Sequence, residues 1–113
     1  DVYDTTFERL LSPQHPKQNA FIAFAESHMV GLVHYIYHPH NWKREDVCYL
    51  QDLYAVPEYR GQGLGRALIE AVYKTADANG TPAVYWLTQD FNQTARQLYD
   101  RVATLTPFIK YTP

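Results

Sequence analysis

A glycine-rich run, Arg60-Gly61-Gln62-Gly63-Leu64-Gly65-Arg66, separates a strand-like segment from a helix-like segment. Glycine has no Cβ, so the backbone here can turn sharply and approach a ligand closely. The helix that follows presents unpaired N–H groups and the positive end of its dipole at the same place. The run therefore indicates a backbone cradle for a pyrophosphate. A tight turn without a ligand is the alternative.

Two other phosphate-binding motifs do not fit this run. A dinucleotide fingerprint requires Gly or Ala three residues after its second Gly, and the two possible frames place Arg66 or Leu68 there. A P-loop requires Gly-Lys followed by Ser or Thr, and the sequence contains no such triplet. A pyrophosphate bound at this run would therefore be held by a motif whose glycine spacing differs from these two.

The segments around the run predict a mixed α/β domain. The helix after the run carries a continuous apolar stripe and ends at Gly80. Asn92 is a suitable N-cap for a second long helix. In order, the pattern predicts a helix over Asp1–Leu11, strands over Ala20–Glu26, Val30–His38 and Val47–Val56, a helix over Leu64–Asn79, a short strand over Ala83–Thr88, a helix after Asn92, and a strand over Thr106–Tyr111.

Length and composition indicate one globular domain covering residues 1–113. A net charge of −2 gives no electrostatic footprint for nucleic acid. The single cysteine cannot form an internal disulfide, which is typical of the reducing cytoplasm. No apolar run reaches the length of a membrane span. The first residue is Asp1 rather than Met, so we expect an N-terminally incomplete domain.

Two motifs resemble those of the GNAT superfamily of N-acetyltransferases. The stretch from Leu53 to Leu68 is similar to the acetyl-CoA motif, Gln/Arg-x-x-Gly-x-Gly/Ala after a strand. Asn92-Gln93-Thr94-Ala95-Arg96-Gln97-Leu98-Tyr99 resembles the second motif, Asn-x-x-Ala-x-x-Leu-Tyr. The resemblance implies a central, mostly antiparallel sheet with splayed parallel strands and flanking helices. The Asp1–Leu11 helix would then be the family's second, with the family's first strand and helix missing from this chain.

The resemblance also implies where acetyl-CoA, the co-substrate, binds. In this family the third strand carries a bulge and splays from the next parallel strand, and the pantetheine arm lies in that opening. The corresponding backbone positions are Leu53, Tyr54 and Ala55. The pyrophosphate would lie on the run that follows, and a contact to the CoA arm falls on Asn92. The implied pyrophosphate residues are Gly61, Gln62, Gly63, Leu64, Gly65 and Arg66.

Tyr99 is the candidate catalytic residue. Direct acetyl transfer to an amine requires a proton for the departing thiolate, and family members often place a tyrosine here as that acid. Periodicity alone gives a plainer interpretation, because Tyr99 shares a helical face with Ala95, Leu98 and Val102 and fits a core position.

The general base is not evident from the sequence. Tyr49-Leu50-Gln51-Asp52-Leu53-Tyr54 is similar to the corresponding strand of spermidine/spermine N-acetyltransferases, where a glutamate stands at the Gln51 position. Regular alternation predicts that Tyr49, Gln51 and Leu53 share one face and that Asp52 points to the other. Asp52 is then more plausibly a loop anchor than a base. The alternatives are a water chain, His34, Tyr49, or no enzymic base.

Aromatic residues near the predicted acceptor cleft form the candidate substrate site: Tyr35, Trp42 and Tyr49, together with Gln51. Aromatic rings can hold a cationic amine, although sheet packing explains the strand tyrosines equally well. A metal site is not expected, because His34 and His38 are about 13 Å apart along a strand. Cys48 fits a small core residue better than a covalent acetyl carrier.

The sequence thus predicts a cytoplasmic acyltransferase that moves acetyl from acetyl-CoA to a primary amine. The acceptor would be a polyamine, an amino acid or a peptide or protein lysine, and the family often forms homodimers. No metal, nucleic acid or membrane partner is expected. Gln51 and the missing N-terminal elements motivate one alternative, a non-catalytic acyl-CoA-binding module. A structural domain whose glycines only form a turn is the other.

Overall fold

The computed structural model describes residues 5–11, 18–42, 44–56, 63–89 and 91–113, the first of these ranges by its backbone alone. Seven elements lie in these ranges, and four strands come before the first helix. In chain order they are β1 (Thr5–Leu11), β2 (Gln18–Ala25), β3 (His28–His38), β4 (Val47–Ala55), α1 (Leu64–Ala78), β5 (Val84–Tyr85) and α2 (Gln93–Val102).

The strands form a sheet in the order β1-β2-β3-β4-β5. The first four strands pair antiparallel with their neighbours, and β5 pairs parallel to β4. Consecutive strands joined by short turns account for the antiparallel part, while α1 provides the crossover that a parallel pair requires. The predicted class, a mostly antiparallel sheet with one parallel pair and flanking helices, is confirmed.

The predicted N-terminal helix is wrong over the described residues. Thr5–Leu11 is a strand whose seven residues all pair with β2, from Thr5 opposite Ala25 to Leu11 opposite Asn19. The helical spacing of the apolar residues is real, but the edge of β2 offers a full ladder of hydrogen bonds, and pairing overrides a short local pattern. The assignment of this segment to the family's second helix is wrong with it.

The predicted strand over Thr106–Tyr111 is also absent. The segment after α2 has no regular secondary structure, and Leu105, Phe108, Ile109 and Tyr111 are 70–87% exposed. A strand needs a partner for its backbone groups, and this segment pairs with none of the described strands. The β-rich composition of this segment therefore does not make it a strand of the sheet.

The core lies between the sheet and α1. Cross-strand pairing puts directly opposite residues on the same face, and Tyr35 is paired with Leu50 there. Gly31 is on this face too, since a Cβ built on it would lie 3.0 Å from Leu68 Cδ1. The apolar stripe of α1 is confirmed, with five buried residues: Leu64, Leu68, Ile69, Val72 and Ala76.

Gly31 lets β3 approach α1 closely. An added Cβ would meet Leu68 Cδ1 at 3.0 Å, Leu64 Cδ2 at 3.1 Å and the Tyr54 carbonyl oxygen at 3.2 Å. Because the last of these is backbone, Gly31→Ala must displace either the helix or β4. We expect a loss of about 1–3 kcal/mol in the free energy of unfolding.

Urea denaturation measures this loss, and Met29→Leu, a volume-conserving change at a half-exposed site on the same strand, is the control. A Gly31→Ala variant as stable as this control would show that α1 does not rest on β3 in this way.

Candidate active site

The start of α1 has the geometry of an anion cradle. Gly63 is the N-cap, with φ 83° and ψ 5°, a left-handed conformation that favours glycine. Its carbonyl accepts the first helical hydrogen bond, from the Ala67 N–H at 2.9 Å. The N–H groups of Leu64, Gly65 and Arg66 precede that bond and have no acceptor within the helix. Gly61 and Gln62 lie outside the described residues.

The charge at this helix end also favours an anion. The first turn contains no acidic residue, so no side chain of that turn offsets the positive end of the dipole. Arg66 adds a cation; its side chain is half-exposed, and its Nε donates to Glu70 Oε2 at 3.2 Å. The described part of the cradle therefore fits a pyrophosphate.

Gly65 brings the second helix to this site. A Cβ built on Gly65 would lie 3.1 Å from Leu98 Cδ2, so the absence of a side chain there lets α2 pack against the first turn of α1. The Tyr73 hydroxyl donates to the Val102 carbonyl at 2.9 Å and fixes the far end of α2. Tyr99 is consequently held on a helix that contacts the cradle.

A gap opens between the two parallel strands. The ladder between β4 and β5 has only two pairs, Cys48 with Val84 and Tyr49 with Tyr85. Beyond Tyr49, β4 continues to Ala55 beside β3 but without β5 as a neighbour. The splay that the resemblance implied is therefore present. It begins immediately before Gln51, and the predicted pantetheine positions Leu53, Tyr54 and Ala55 lie along it.

A bulge in β4 changes which face its residues occupy. Asp52 has φ 55°, and the β3–β4 register shifts between Leu32 and His34. Ala55 pairs with Gly31 on the face toward α1, so Leu53 joins that face and packs against the core. The expectation from regular alternation that Leu53 shares a face with Tyr49 and Gln51 is wrong, because the extra residue reverses the alternation.

The same bulge brings Asp52 to the face of Gln51, whereas regular alternation predicts the opposite face. Its Oδ2 lies 3.4 Å from His34 Nδ1, and His34 is the direct cross-strand partner of Gln51. Tyr54 pairs with Leu32 on the face away from α1 and is 43% exposed. The face opposite α1 thus holds the groups nearest to the expected base position.

Two aromatic residues extend that face. Tyr49 stacks on Tyr85 with ring centroids 4.9 Å apart. The Tyr85 hydroxyl lies 2.8 Å from His38 Nε2. Burial, and then the neighbouring Tyr49 and Cys48, raise the pKa of Tyr85, so its ring stays neutral. The paired rings form a neutral aromatic surface beside Gln51.

Tyr99 is half-buried and packs against an indole. Its ring lies edge to face with Trp86, the residue after β5, at 5.3 Å between centroids. Burial raises the pKa of the Tyr99 hydroxyl, which keeps the phenol protonated at neutral pH. A protonated phenol is the state that a general acid needs before the reaction.

The other predicted substrate residues lie apart from this surface. Tyr35 is fully buried on the α1 face and stacks on Phe21 at 5.5 Å. Trp42 is 90% exposed in the loop before β4, where its ring lies against His40 at 5.8 Å. Tyr49 and Gln51, by contrast, are adjacent to the gap. Tyr35 therefore belongs to the core and not to the surface that carries Tyr49 and Gln51.

Asn92 has a structural task in addition to its predicted contact with CoA. Its Oδ1 accepts a hydrogen bond from the Ala95 N–H at 3.3 Å and caps α2. Its side-chain NH₂ is not used by that bond. The predicted N-cap is therefore confirmed, and the contact with CoA stays a prediction.

Cys48 lies in the core beside the gap. Burial raises the pKa of its thiol to about 12, so almost no thiolate is present at neutral pH. Within the described ranges, no three His, Cys, Asp or Glu side chains are grouped closely enough to hold a metal ion. The described helices are also too short or too polar to cross a membrane.

Sequence reasoning missed Tyr85, Trp86 and the approach of Asp52 to His34. The two aromatic residues lie on a strand of only two residues, and no motif singles them out. The Asp52 contact depends on a bulge, whose position regular alternation does not reveal. The glutamate-to-glutamine difference at Gln51 was the one signal that pointed to this region.

Comparison with known proteins places the chain in a family. Residues 1–103 match the model of the acetyltransferase (GNAT) family. A D-amino-acid N-acetyltransferase of Saccharomyces cerevisiae is 41% identical over 112 residues, which are 98% of this chain and 70% of that protein. The thialysine N-epsilon-acetyltransferase of Bos taurus is 37% identical over 81% of this chain, which spans about half of that protein (49%). The chain belongs to the GNAT acetyltransferase family.

Solved structures agree with this fold. A ribosomal-protein-alanine N-acetyltransferase from Brucella melitensis superposes with a TM-score of 0.83 at 16% identity, over 97% of this chain and 98% of that one. An aminoglycoside N-acetyltransferase in complex with CoA gives a TM-score of 0.83 at 15% identity, over 100% and 96% of the chains. The predicted enzyme class, an N-acetyltransferase, is confirmed by the family and its curated relatives.

Asn92 allows the cap and the CoA contact to be separated. Asn92→Ala removes the cap, and we expect a loss of about 1 kcal/mol in the free energy of unfolding. Asn92→Ser keeps a capping oxygen but loses the NH₂ group, so stability should be nearly retained. If the NH₂ group contacts CoA, acetyl-CoA affinity falls in Asn92→Ser as well, by about 3- to 10-fold for one hydrogen bond.

Thermal unfolding and titration calorimetry on the two variants measure both effects. Unchanged acetyl-CoA affinity in Asn92→Ser would limit Asn92 to its capping role.

Proposed function

We propose that this protein transfers the acetyl group of acetyl-CoA to the primary amine of a small, amino-acid-like acceptor. The observation that carries the proposal is the combination of three features: the gap beside β4 after Tyr49, the Gly63 cradle that follows β4 in the chain, and Tyr99 on the helix packed against Gly65. The curated relatives named for D-amino-acid and thialysine acetylation support this acceptor class. Polyamines and peptide lysines are the further acceptor classes that the proposal includes.

Acetyl-CoA, as co-substrate, supplies the activated thioester. The N–H groups at the start of α1 would bind its pyrophosphate, and β4 along Leu53–Ala55 would hold its extended arm. Tyr99 would then give its phenolic proton to the departing sulfur. Partial burial against Trp86 supports this role, because it keeps that proton in place until a stronger base appears beside it.

The acceptor would lie on the face opposite α1. The stacked pair of Tyr49 and Tyr85 offers π faces to a cationic amine, and the carboxylate of Asp52, 70% exposed, offers a negative charge near them. Gln51 lies between these groups in the register of the sheet and would hydrogen-bond the acceptor. Cation–π attraction and one carboxylate are enough to favour a protonated amine over a neutral ligand.

Homodimer formation and a cytoplasmic location belong to the same proposal. Leu105, Phe108, Ile109 and Tyr111 place four large apolar side chains at the surface, each 70% exposed or more. A second copy covering them would remove that apolar area from water. The single buried cysteine fits a reducing compartment.

The cradle is tested by charge at the N-cap of α1. A Cβ at Gly63 has no atom of the described residues within 4 Å, so Gly63→Asp introduces strain and a negative charge but no clash with that part of the protein. Gly80→Asp is a matched control, because Gly80 has φ 75° and equally open surroundings at the other end of α1. We expect Gly63→Asp to weaken acetyl-CoA binding by at least about 100-fold, through repulsion of the pyrophosphate.

Isothermal titration of both variants with acetyl-CoA compares the effect of a negative charge at the two ends of α1, at positions with similar backbone strain. Equal acetyl-CoA affinity in Gly63→Asp and Gly80→Asp would remove the cradle from the account.

The acid is tested by removing one hydroxyl. Tyr99→Phe keeps the ring against Trp86, and we expect kcat to fall by about 100-fold or more with little change in acetyl-CoA affinity. Tyr73→Phe is the control, since it deletes a structural hydroxyl, bonded to the Val102 carbonyl, from the neighbouring helix. That change should lower stability, and kcat should fall far less than in Tyr99→Phe, because the contact of Leu98 with Gly65 still holds α2.

Release of free CoA, followed with a thiol reagent over a panel of amines, reports kcat. A Tyr99→Phe enzyme within a factor of about 3 of the parent would assign the proton transfer to another group. No CoA release with any amine, despite saturable acetyl-CoA binding, would favour a non-catalytic acyl-CoA-binding module.

A further inference from the structure

We propose that His34 is the general base of the reaction and that Asp52 positions it. The inference rests on the acetyl transfer proposed above and names the group that replaces the missing glutamate. His34 pairs directly with Gln51 across β3 and β4. Directly opposite side chains in an antiparallel pair have Cβ atoms about 5 Å apart on the same face. An imidazole therefore stands next to the position where a carboxylate is expected.

The bulge in β4 gives His34 its partner. Asp52 adopts φ 55°, a left-handed conformation that Asp tolerates better than most residues. In a regular strand, residue 52 would project to the face opposite Gln51. The bulge instead brings Asp52 Oδ2 to 3.4 Å from His34 Nδ1. The backbone deviation thus creates a carboxylate–imidazole pair across β3 and β4, on the face of Gln51.

The orientation of the ring suits a base. Among the described residues His34 Nδ1 is buried and makes no hydrogen bond, so its contact with Asp52 is an ion-pair distance, whereas 44% of the side chain is exposed. The exposed surface therefore lies elsewhere on the side chain than at Nδ1. When Nδ1 carries the proton and faces Asp52, Nε2 has the free lone pair that accepts a proton. A carboxylate on the far nitrogen also stabilises the imidazolium that forms.

The neighbours of His34 in the described ranges add little competing charge. On β2 it faces Ala20, and on β4 it faces Gln51. The other titratable groups near it in the register are Asp52 and two phenols, Tyr49 and Tyr54, which pair with Ile36 and Leu32. No described cation is placed by this register next to His34, and Asp52 is the charged group that lies beside it, at 3.4 Å.

The proton and electron balance of the step closes with these groups. An acceptor R–NH₃⁺ gives one proton to His34 Nε2, directly or through one water, and becomes R–NH₂. The nitrogen lone pair forms the new C–N bond to the acetyl carbon, while the C–S bond breaks and its electron pair leaves with sulfur. Tyr99 protonates that sulfur. The second amine proton, lost as the amide forms, returns to the Tyr99 phenolate through water, and His34 releases its proton to solvent.

The test is a pH–rate profile of kcat/KM with one primary amine that the parent enzyme acetylates. We expect the parent profile to show an acidic limb, because an imidazole that is already protonated accepts no proton from the amine. His34→Gln should remove this limb, lower the rate at pH 7 by about 100-fold, and leave a rise that follows the ionisation of the amine itself. Acetyl-CoA affinity and thermal stability should change little.

Asp52→Asn separates positioning from catalysis. Asn tolerates the left-handed conformation, so the bulge is retained while the negative charge is lost. We expect the acidic limb to remain, because His34 is still present, and the rate to fall because the ring loses the carboxylate that orients it. The rate should fall less than in His34→Gln, by about 10-fold. His28→Gln, at an exposed position on the same strand, is the matched control and should leave the profile unchanged.

The outcomes distinguish this inference from the proposed function. If the parent enzyme transfers acetyl groups and both His34→Gln and Asp52→Asn keep its profile, His34 is not the base, although the acetyltransferase assignment stands. If the parent enzyme binds acetyl-CoA but acetylates no amine, the proposed function and the base are both overturned. Loss of the limb in His34→Gln, with acetyl-CoA affinity retained, supports the assignment.

Discussion

The bulge at Asp52 is the constraint on which the candidate site depends. One residue in a left-handed conformation reverses the alternation of β4, so Leu53 and Ala55 pack toward α1 while Gln51 and Tyr49 face away from it. A regular strand would place Leu53 beside Gln51 and Asp52 in the direction of the core. The bulge therefore secures the packing of the sheet and brings a carboxylate to the acceptor side.

The splay between β4 and β5 complements the bulge. The parallel ladder between β4 and β5 ends at Tyr49 and Tyr85. The second half of β4 therefore has a gap on this side and no described strand paired with it. The Gly63 cradle follows this half-strand in the chain, and Gly65 brings α2 with Tyr99 against the same helix turn. The residues proposed to bind the pyrophosphate, to bind the extended arm and to act as the acid thus lie on α1, β4 and α2, and α1 contacts both of the other elements.

The sequence was most informative where local chemistry and tertiary structure agree. The apolar stripe of α1, the left-handed Gly80 at its end and the Asn92 cap were all predictable, since each depends on residues within one or two turns. The two motifs also directed attention to the start of α1 and to Tyr99, whose roles stay predictions. These predictions required no knowledge of distant contacts.

Predictions failed where a distant partner decides the structure. The segment Thr5–Leu11 has helical spacing, but the open edge of β2 pairs with it as a strand. The segment Thr106–Tyr111 has strand composition, but no described strand pairs with it. Asp52 was assigned to the wrong face, since a single-residue bulge leaves the sequence pattern almost unchanged. The pairing of His34 with Gln51, which are 17 residues apart in the chain, follows only from the register of β3 against β4.

The most direct test of the account is a crystal structure with a bisubstrate analogue that joins CoA to an amino-acid amine through sulfur. We predict that its pyrophosphate lies on the N–H groups of Gly63–Arg66 and that its arm runs along Leu53–Ala55. Its sulfur should lie within hydrogen-bond distance of the Tyr99 hydroxyl, and its nitrogen should lie on the His34 side of β4. A sulfur placed away from Tyr99, or an arm bound outside the gap between β4 and β5, would contradict the account.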